Sequence, residues 1–404
     1  MTQKNAFSRR KMLKGIAAGA AVGASLGFPA IVRAQGAKIK IGLMLPYSGT
    51  FSIYGESITN AFRMAMQENT QALGGREIEY IRLDDESDPA KATDNINRLV
   101  TRDKVDVVIG TVHSGVAAAM LRITKESGVM HIIPNAGLAQ ATGALCAPNI
   151  FRTSFSNWQC GYGMGAVMAK RPKAKNVVTL SWRNAAGEES VKGFKDGYLP
   201  GGGKIGKELW LPFPNAEFQP LLTEVASLKP DAVYSFIAGA AGAKYMKDYV
   251  QAGLMRTIPL VGPGFLTEGL LDAAGDAAEG IETVLHYADG LNTKRDNEFR
   301  LNYAKTYKLQ PDVFCVQGYD AGLLLAAGLA AAKGDVSKKK EMIAAMRAAK
   351  IDSPRGPWRL SKAHNPVQDM YLRKVVGKEN RNMGIAIKAL DDDPSVMAQC
   401  KISA

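Results

Sequence analysis

Residue patterns that could support enzyme chemistry are few and weak in this sequence. Gly201, Gly203 and Gly206 have the spacing of a dinucleotide-binding fingerprint, but they follow helix-forming residues and Pro200 rather than a strand. A helix-to-strand turn is therefore the favoured interpretation. After residue 34, no GxxxxGKS/T, HExxH or GxSxG motif occurs. We predict that the protein is not an enzyme and that it uses no cofactor and no metal ion.

Polar residues near predicted strand ends indicate binding rather than catalysis. His131 lies within an apolar run, where a core histidine is expected. His113 differs, because it follows a predicted strand and precedes Ser114. Ligands bind at such strand ends in parallel sheets. Asp84 and Asp85 could form a carboxylate pair, although capping of nearby loops explains them equally well.

Strand-like and helix-like runs alternate along the chain and must position these residues. In the first half we predict strands at 38–46, 77–85, 105–110 and 130–134, with helices at 55–69, 88–100 and 116–127. The pattern then restarts, with strands at 176–181, 231–236 and 259–262 and helices at 188–198 and 241–252. This alternation predicts an α/β fold with two doubly wound parallel-sheet lobes and a crevice between them.

The net charge of the chain limits the classes of partner that it is expected to bind. The 404 residues include 51 Lys and Arg against 38 Asp and Glu, a net charge of +13. Six of the positive charges and none of the acidic residues lie within residues 1–34, so the remaining 370 residues carry +7. No basic run is interleaved with aromatic residues, as a nucleic-acid interface requires. We predict no nucleic-acid partner, and the modest positive charge suits an anionic ligand.

Residues 1–34 have the pattern of a cleaved export signal. Basic residues precede an uncharged, Ala- and Gly-rich stretch at 15–32, and Ala34 follows as a small residue at the cleavage site. Arg9 and Arg10 resemble the pair of a twin-arginine signal. A membrane anchor is the alternative, but this short stretch barely spans a bilayer. In the remaining chain we expect no run that is long and apolar enough to cross a membrane.

The four cysteines, Cys146, Cys160, Cys315 and Cys400, leave their pairing open. In an oxidising compartment an even number allows disulfides with three possible connectivities. No CxxC pair occurs, and the spacing is poor for a metal site. Free buried thiols are the alternative.

A series of short motifs lies in order along almost the whole chain after residue 34. In the first part they are Ile39-Lys40-Ile41-Gly42, Pro46-Tyr47-Ser48-Gly49, Tyr54-Gly55, Gly74-Gly75-Arg76 and Asp84-Asp85-Glu86-Ser87-Asp88-Pro89. Further along they are Val108-Ile109-Gly110, Ser114, Pro134-Asn135-Ala136, Phe151-Arg152-Thr153 and Gly318-Tyr319-Asp320-Ala321. Together they resemble the leucine/isoleucine/valine-binding family of type I periplasmic solute-binding proteins. His286-Tyr287, Ser353–Trp358 and Gln368–Tyr371 resemble, more weakly, the branch that binds aromatic acids.

The resemblance implies a receptor of two lobes that closes over a small solute and docks on the membrane permease of an ABC transporter. It implies a periplasmic location and a hinge of three crossing segments, which we place near residues 155, 285 and 363. The predicted lobes are 35–155 plus 286–363 and 156–285 plus 364–404. We expect a monomer.

The same resemblance implies which residues bind the ligand. Ser114 matches the serine whose hydroxyl and neighbouring amides hold the ligand carboxylate. Asn135, Ala136 and Gly137 match the carboxylate loop that follows. Tyr54 matches an aromatic residue that lines the side-chain pocket.

Four positions depart from the amino-acid binders of the family. Ala186 and Ala238 stand where those proteins have tyrosines, and Gly137 stands where they have a threonine. Gly264 stands where they have the glutamate that neutralises the ligand ammonium. Because an unpaired ammonium is costly in a dry cleft, the departures favour a bulkier carboxylate without an amine.

Three further residues are candidates from their positions alone. Trp182 and Phe265 lie near strand ends and could supply aromatic walls, while His286 lies near the second crossing segment. Packing at a lobe edge, or bracing of the hinge for His286, is the alternative for each.

We therefore predict the binding component of an ABC importer that captures a small organic carboxylate, with an aromatic acid as the finer expectation. A sensor for a membrane receptor would share every cleft residue, and a receptor for amino acids or amides is a further alternative. An exported α/β enzyme would need a nucleophile and base or a metal site, which the sequence does not provide.

Overall fold

The first sheet consists of parallel strands. The structure, a computed structural model, describes residues 37–402, so the predicted export signal lies outside the described residues. The strands are β1 (Ile39–Leu45), β2 (Ile78–Asp84), β3 (Val107–Ile109), β4 (Met130–Ile133) and β5 (Ile150–Arg152). Their order is β2-β1-β3-β4-β5, and every pairing is parallel. β1 is buried along almost its whole length, as expected for a central strand covered on both faces.

The second sheet is mixed. Its strands are β6 (Asn176–Arg183), β7 (Lys204–Pro212), β8 (Ala232–Phe236), β9 (Leu260–Pro263), β10 (Glu282–Leu285), β11 (Trp358–Leu360), β12 (Pro366–Val376) and β13 (Glu379–Leu390). The order is β11-β12-β10-β9-β8-β6-β7, with β13 paired to β12. Strands β6 to β10 pair in parallel, whereas β12 is antiparallel to its three neighbours. The prediction of two α/β lobes is confirmed, but the second sheet ends in antiparallel strands, because a two-residue turn with Gly377 at φ 62° joins β12 directly to β13.

Helices cover the two sheets. They are α1 (Ser52–Glu68), α2 (Pro89–Asn97), α3 (Ser114–Ser127), α4 (Asn157–Ala169), α5 (Ala185–Tyr198), α6 (Gln219–Leu228), α7 (Ala241–Gln251), α8 (Leu271–Ala274), α9 (Lys294–Tyr307), α10 (Val313–Ala331), α11 (Lys339–Ala348) and α12 (Pro394–Met397). The start of α2 follows the sequence prediction, since the Asp88 carboxylate accepts a hydrogen bond from the Ala90 N–H and Pro89 occupies the first turn.

Helix α10 corrects one expectation. By length and composition it is apolar enough to cross a membrane, although we expected no such run after residue 34. Most of the helix is buried inside the protein, where it packs against α1 and α11. A helix that is apolar on all sides is typical of a core position.

The two sheets, each with the helices packed on it, are the first and second lobes. Strand β11 pairs in the second sheet although it precedes the boundary predicted at residue 363, while Trp358 at its start packs into the core of the first lobe. The chain therefore passes between the lobes through β11 itself. The predicted lobe boundaries stay a prediction.

A disulfide links the end of the chain to the first lobe. Cys146 and Cys400 are bonded, with 5.6 Å between their Cα atoms, although 254 positions separate them in sequence. Cys160 and Cys315 are free and buried. The sequence left disulfides and free buried thiols as alternatives. The structure contains one disulfide and two free buried thiols.

Candidate functional site

Residues that follow strands of the first sheet meet residues that follow strands of the second, and we call this meeting place the cleft. The Tyr54 hydroxyl, near the start of α1, accepts a hydrogen bond at 2.9 Å from the N–H of Gly239, which follows β8. His113 follows β3, and its ring lies 5.0 Å from the ring of Phe213, which follows β7. The two lobes are therefore in direct contact, and the cleft is closed.

All of the residues that the sequence predicted for the site are buried. They are Tyr54, Ser114, Asn135, Ala136, Gly137, Trp182, Ala186, Ala238, Gly264, Phe265 and His286. Two of them are engaged elsewhere. Ala136 packs into an apolar cluster of the first lobe. The indole N–H of Trp182 donates to the Asn215 carbonyl at 3.0 Å, and Trp182 reaches the cleft only through edge contact with Phe213.

The N-terminus of α3 supplies hydrogen-bond donors to the cleft. The first N–H groups of a helix have no acceptor within it, and His113 forms no side-chain cap over those of α3. The Ser114 hydroxyl oxygen accepts from the Asn157 side chain at 3.2 Å. Helix N-termini favour anions because of their N–H groups and the helix dipole. This end of the cleft can hold a carboxylate.

Aromatic rings from both lobes form the rest of the cleft, and we call them the aromatic wall. The centroid distances along it are Phe213–Phe51 6.0 Å, Phe51–Tyr54 6.0 Å, Tyr54–Phe314 3.8 Å, Phe314–Phe265 6.4 Å and Phe265–Phe155 4.6 Å. Rings in such stacked and tilted contacts favour an apolar, planar neighbour. The cleft thus pairs one anion-binding end with aromatic sides.

Both histidines of the cleft are neutral. Burial lowers the pKa of His113 to about 4, although Asp88 acts in the opposite direction. Burial, followed by the positive charges of Arg355 and Arg373, lowers the pKa of His286 well below its ordinary value. Neither side chain contributes a positive charge at neutral pH.

The surroundings of Gly137 and Gly264 leave no room for a larger side chain at either position. A Cβ atom on Gly137 would lie 2.5 Å from Asn157 Oδ1 and 2.7 Å from the Phe155 ring. A Cβ on Gly264 would lie 2.6 Å from both Arg373 Nη2 and Leu285 Cβ. Neither a threonine at 137 nor a glutamate at 264 fits without displacing its neighbours.

A buried ion pair takes up the space beside Gly264. Arg373 Nη1 lies 2.6 Å from Glu268 Oε2, and both residues are buried. Arg373 also donates to the Gly264 carbonyl at 3.0 Å, and Glu268 accepts from the Val313 N–H at 3.1 Å. The carboxylate of Glu268 is thereby neutralised by a residue of the protein rather than left for a ligand ammonium.

A second carboxyl group, Glu189 on α5, joins the lobes near Ser114. Its two oxygens each accept from the Ala139 N–H at 3.1 Å, and Oε2 accepts from Asn157 at 2.8 Å. Burial raises the pKa of Glu189 to about 7, although the hydrogen bonds from Asn157 and Ala139 lower it. The group therefore titrates near neutral pH.

We expect Glu189→Gln to raise the free energy of unfolding at pH 8 and to raise it by much less at pH 5. A carboxyl whose pKa is raised in the folded state costs stability as pH rises from about 4.3, the unfolded value, through about 7. One proton limits the slope to about 1.4 kcal/mol per pH unit. Urea unfolding at both pH values measures the difference. Glu188→Gln, an exposed neighbour, is the control, and an equal effect of Glu189→Gln at both pH values would contradict the account.

Several groups that complete the cleft were not predicted from the sequence. Phe213 was missed because β7 was not recognised as a strand, although the strand-end rule would have found it. Arg373 and Glu268 are far apart in sequence and lie in no motif. Glu189 and Asn157 lie on two neighbouring helices, α5 and α4, and are 32 positions apart in sequence, so no local pattern marks them.

The chain is similar to binding proteins, both in a protein-family profile and in an individual relative. A profile of the periplasmic binding protein family matches residues 38–380. The Leu/Ile/Val-binding protein homolog 6 of Brucella melitensis is 26% identical over 371 residues, which are 89% of this chain and 94% of that protein.

Solved structures with the same fold include proteins with aromatic ligands. A solute-binding protein of an ABC transporter from R. palustris, in complex with benzoate, is 49% identical with a TM-score of 0.86 and covers 91% of this chain and 100% of its own. One from Rhodopseudomonas palustris BisB5, in complex with 3,4-dihydroxybenzoic acid, is 31% identical with a TM-score of 0.82 and covers 89% and 99%. A leucine-binding protein from Thermotoga maritima, at 21% identity and a TM-score of 0.78, covers 86% and 98% and shares the fold.

Proposed function

The chain belongs to the periplasmic binding protein family, and from this premise we propose that its solute is an aromatic carboxylate of the benzoate class. It is the solute-binding protein of an ABC transporter. The family consists of periplasmic binding proteins rather than enzymes. Export by the twin-arginine route and a monomeric state remain predictions.

The observation that carries the proposal is the pairing of an anion-binding helix end with the aromatic wall. The uncapped N-terminus of α3 and the Ser114 hydroxyl suit a carboxylate. The aromatic wall suits a flat ring, and its rings come from both lobes, so a ring between them would stabilise closure. The benzoate complex of the relative at 49% identity supports the same ligand class.

The environment of Gly264 argues against a free amino acid. The buried carboxylate of Glu268 is already paired with Arg373, which also donates to the Gly264 carbonyl. A ligand ammonium placed there would meet a guanidinium and would lack an anionic partner, which is costly in a buried site. Benzoate carries no ammonium and avoids this cost.

A thermal-shift panel tests the proposal on the mature protein. We expect benzoate or a hydroxybenzoate to give the largest increase in melting temperature, with leucine and valine giving little. Ligand at about 100 times its dissociation constant adds about 2.7 kcal/mol to the free energy of unfolding. If leucine or valine produced the largest shift, the protein would be an amino-acid receptor instead.

We expect Ser114→Ala to weaken binding of the preferred acid by about 1–3 kcal/mol, because the variant lacks one hydrogen bond to a charged group. Isothermal titration measures the dissociation constant. Ser127→Ala, at the exposed C-terminal end of the same helix, is the matched control and should leave affinity unchanged. Equal affinities of the two variants would show that the carboxylate lies elsewhere.

A further inference from the structure

We propose, building on the aromatic-acid function above, that His286 determines specificity by donating a hydrogen bond from Nδ1 to an oxygen substituent on the ligand ring. The cleft would then prefer a hydroxybenzoate to unsubstituted benzoate. In this proposal His286 binds the ring substituent, whereas the end of the cleft at Ser114 binds the carboxylate.

A chain of hydrogen bonds sets which nitrogen of His286 carries the proton. The Asn135 side-chain amide donates to Gln317 Oε1 at 2.7 Å. The Gln317 amide nitrogen then lies 3.3 Å from His286 Nε2. Because an amide NH₂ only donates, Nε2 of a neutral imidazole must accept, and the ring proton is on Nδ1. Asn135 and Gln317 thus hold His286 as an N–H donor.

This donor has no partner among the residues that the structure describes. His286 is fully buried, and its Nδ1 forms no hydrogen bond with the described part of the chain. An unpaired buried donor costs about 1–3 kcal/mol. A histidine that only braced the hinge would not need this free N–H, whereas a ligand oxygen would satisfy it.

The neighbours of His286 place it beside the aromatic wall. Its ring lies 5.6 Å from the Phe155 ring, which contacts Phe265 at 4.6 Å. The Phe155 ring also lies close to Gly137, next to Asn157 and the anion-binding end. One phenyl ring, that of Phe155, therefore neighbours both the His286 ring and the loop at the carboxylate end.

The electrostatics favour a neutral acceptor. Burial together with Arg355 and Arg373 keeps the imidazole of His286 uncharged, because it lowers the pKa of the ring. A neutral N–H donor suits a phenolic oxygen. The nearby guanidiniums are already paired, Arg355 with Asp320 and Arg373 with Glu268, so a second carboxylate on the ligand would have no free charged partner to offset its desolvation. The inferred ligand class is therefore a monoanionic acid with a ring hydroxyl.

Isothermal titration with benzoate and with 2-, 3- and 4-hydroxybenzoate tests the inference. In the unmodified protein we expect at least one hydroxybenzoate to bind about fivefold or more tightly than benzoate. In His286→Phe, which keeps a ring against Phe155, this preference should disappear, so that the four acids bind with affinities within about twofold of one another. His364→Phe is the matched control, because His364 is also a buried histidine with an unpartnered Nε2, but it stacks on Phe151 instead of the aromatic wall.

The outcomes separate this inference from the function on which it rests. Tighter binding of benzoate than of every hydroxybenzoate by the unmodified protein would overturn the role of His286, and this measurement needs no variant. So would an equal loss for all four acids in His286→Phe, since the donor would then serve the shared carboxylate. Binding of none of the four acids would instead overturn the proposed function.

Discussion

Replacement of Arg373 by methionine is expected to lower the free energy of unfolding by about 3–5 kcal/mol. Removal of one partner of a buried ion pair leaves the other charge without compensation. Here the charge left behind is Glu268, which is 5% exposed. Arg373 itself is fully buried and also donates to Thr283 at 3.1 Å and to the Tyr287 carbonyl at 3.2 Å. These acceptors would lose their donor as well.

A double variant shows whether the unpaired charge causes the loss. Arg373→Met combined with Glu268→Leu removes both charges, and we expect it to recover part of the stability lost in the single variant. Urea unfolding of the single and double variants measures the coupling between the two sites. The control is Arg381→Met on β13, whose partner Glu379 is more than half exposed. Such surface pairs contribute about 0–1 kcal/mol.

Similar losses for Arg373→Met and Arg381→Met would contradict the account of the buried pair. Arg373→Met also tests the function, because the Arg373–Glu268 pair lies beside Gly264, where the amino-acid binders of the family neutralise the ligand ammonium. In the folded fraction of Arg373→Met, the freed Glu268 carboxylate should weaken binding of benzoate.

Removal of the disulfide is the second large effect. We expect Cys146→Ser with Cys400→Ser to lower the free energy of unfolding by about 2–5 kcal/mol, since the bond closes a long loop and restricts the unfolded chain. The segment that it holds also carries Asp392, whose carboxylate lies 3.2 Å from Arg152 in a buried ion pair. Release of the segment would expose this pair to water.

Reduction provides the control for the disulfide. A reductant should destabilise the unmodified protein by the same amount and leave the double serine variant unchanged. Cys160 and Cys315 are free and buried in both proteins, so the reductant has no bond to break there. A reductant effect that persisted in the double variant would contradict the assignment of the stability to this bond.

Sequence reasoning predicted the parts of the fold whose signals are local. Strand β1 is a nearly continuous apolar run, and α2 carries its N-cap at Asp88 and a proline in its first turn. Both were placed within a few residues of their observed bounds. Strand β7 was missed because glycine and charged residues interrupt its apolar pattern. The antiparallel strands β11, β12 and β13 near the end of the chain were not predicted, although they are neighbours in sequence and only the pairing of β12 with β10 joins distant segments.

The residues of the candidate site also fall into two groups, those with a local signal in the sequence and those that depend on distant residues. Ser114 and Asn135 were assigned from the family resemblance, and both follow strands that are clear in the sequence. The space beside Gly264 could not be described, because it is filled by Arg373 from β12, more than 100 positions away. The relay from Asn135 to His286 likewise depends on Gln317 of α10, which reaches the cleft only in the folded protein.

Isothermal titration of the mature protein with benzoate and with leucine tests the central claim most directly. The account predicts that benzoate, or a hydroxylated benzoate, binds with saturable 1:1 stoichiometry, and that leucine at the same concentrations gives no binding heat. The carboxylate end and the aromatic wall are built for the first ligand, and the Arg373–Glu268 pair leaves no anion for the ammonium of the second. Saturable binding of leucine without binding of any benzoate would contradict the account.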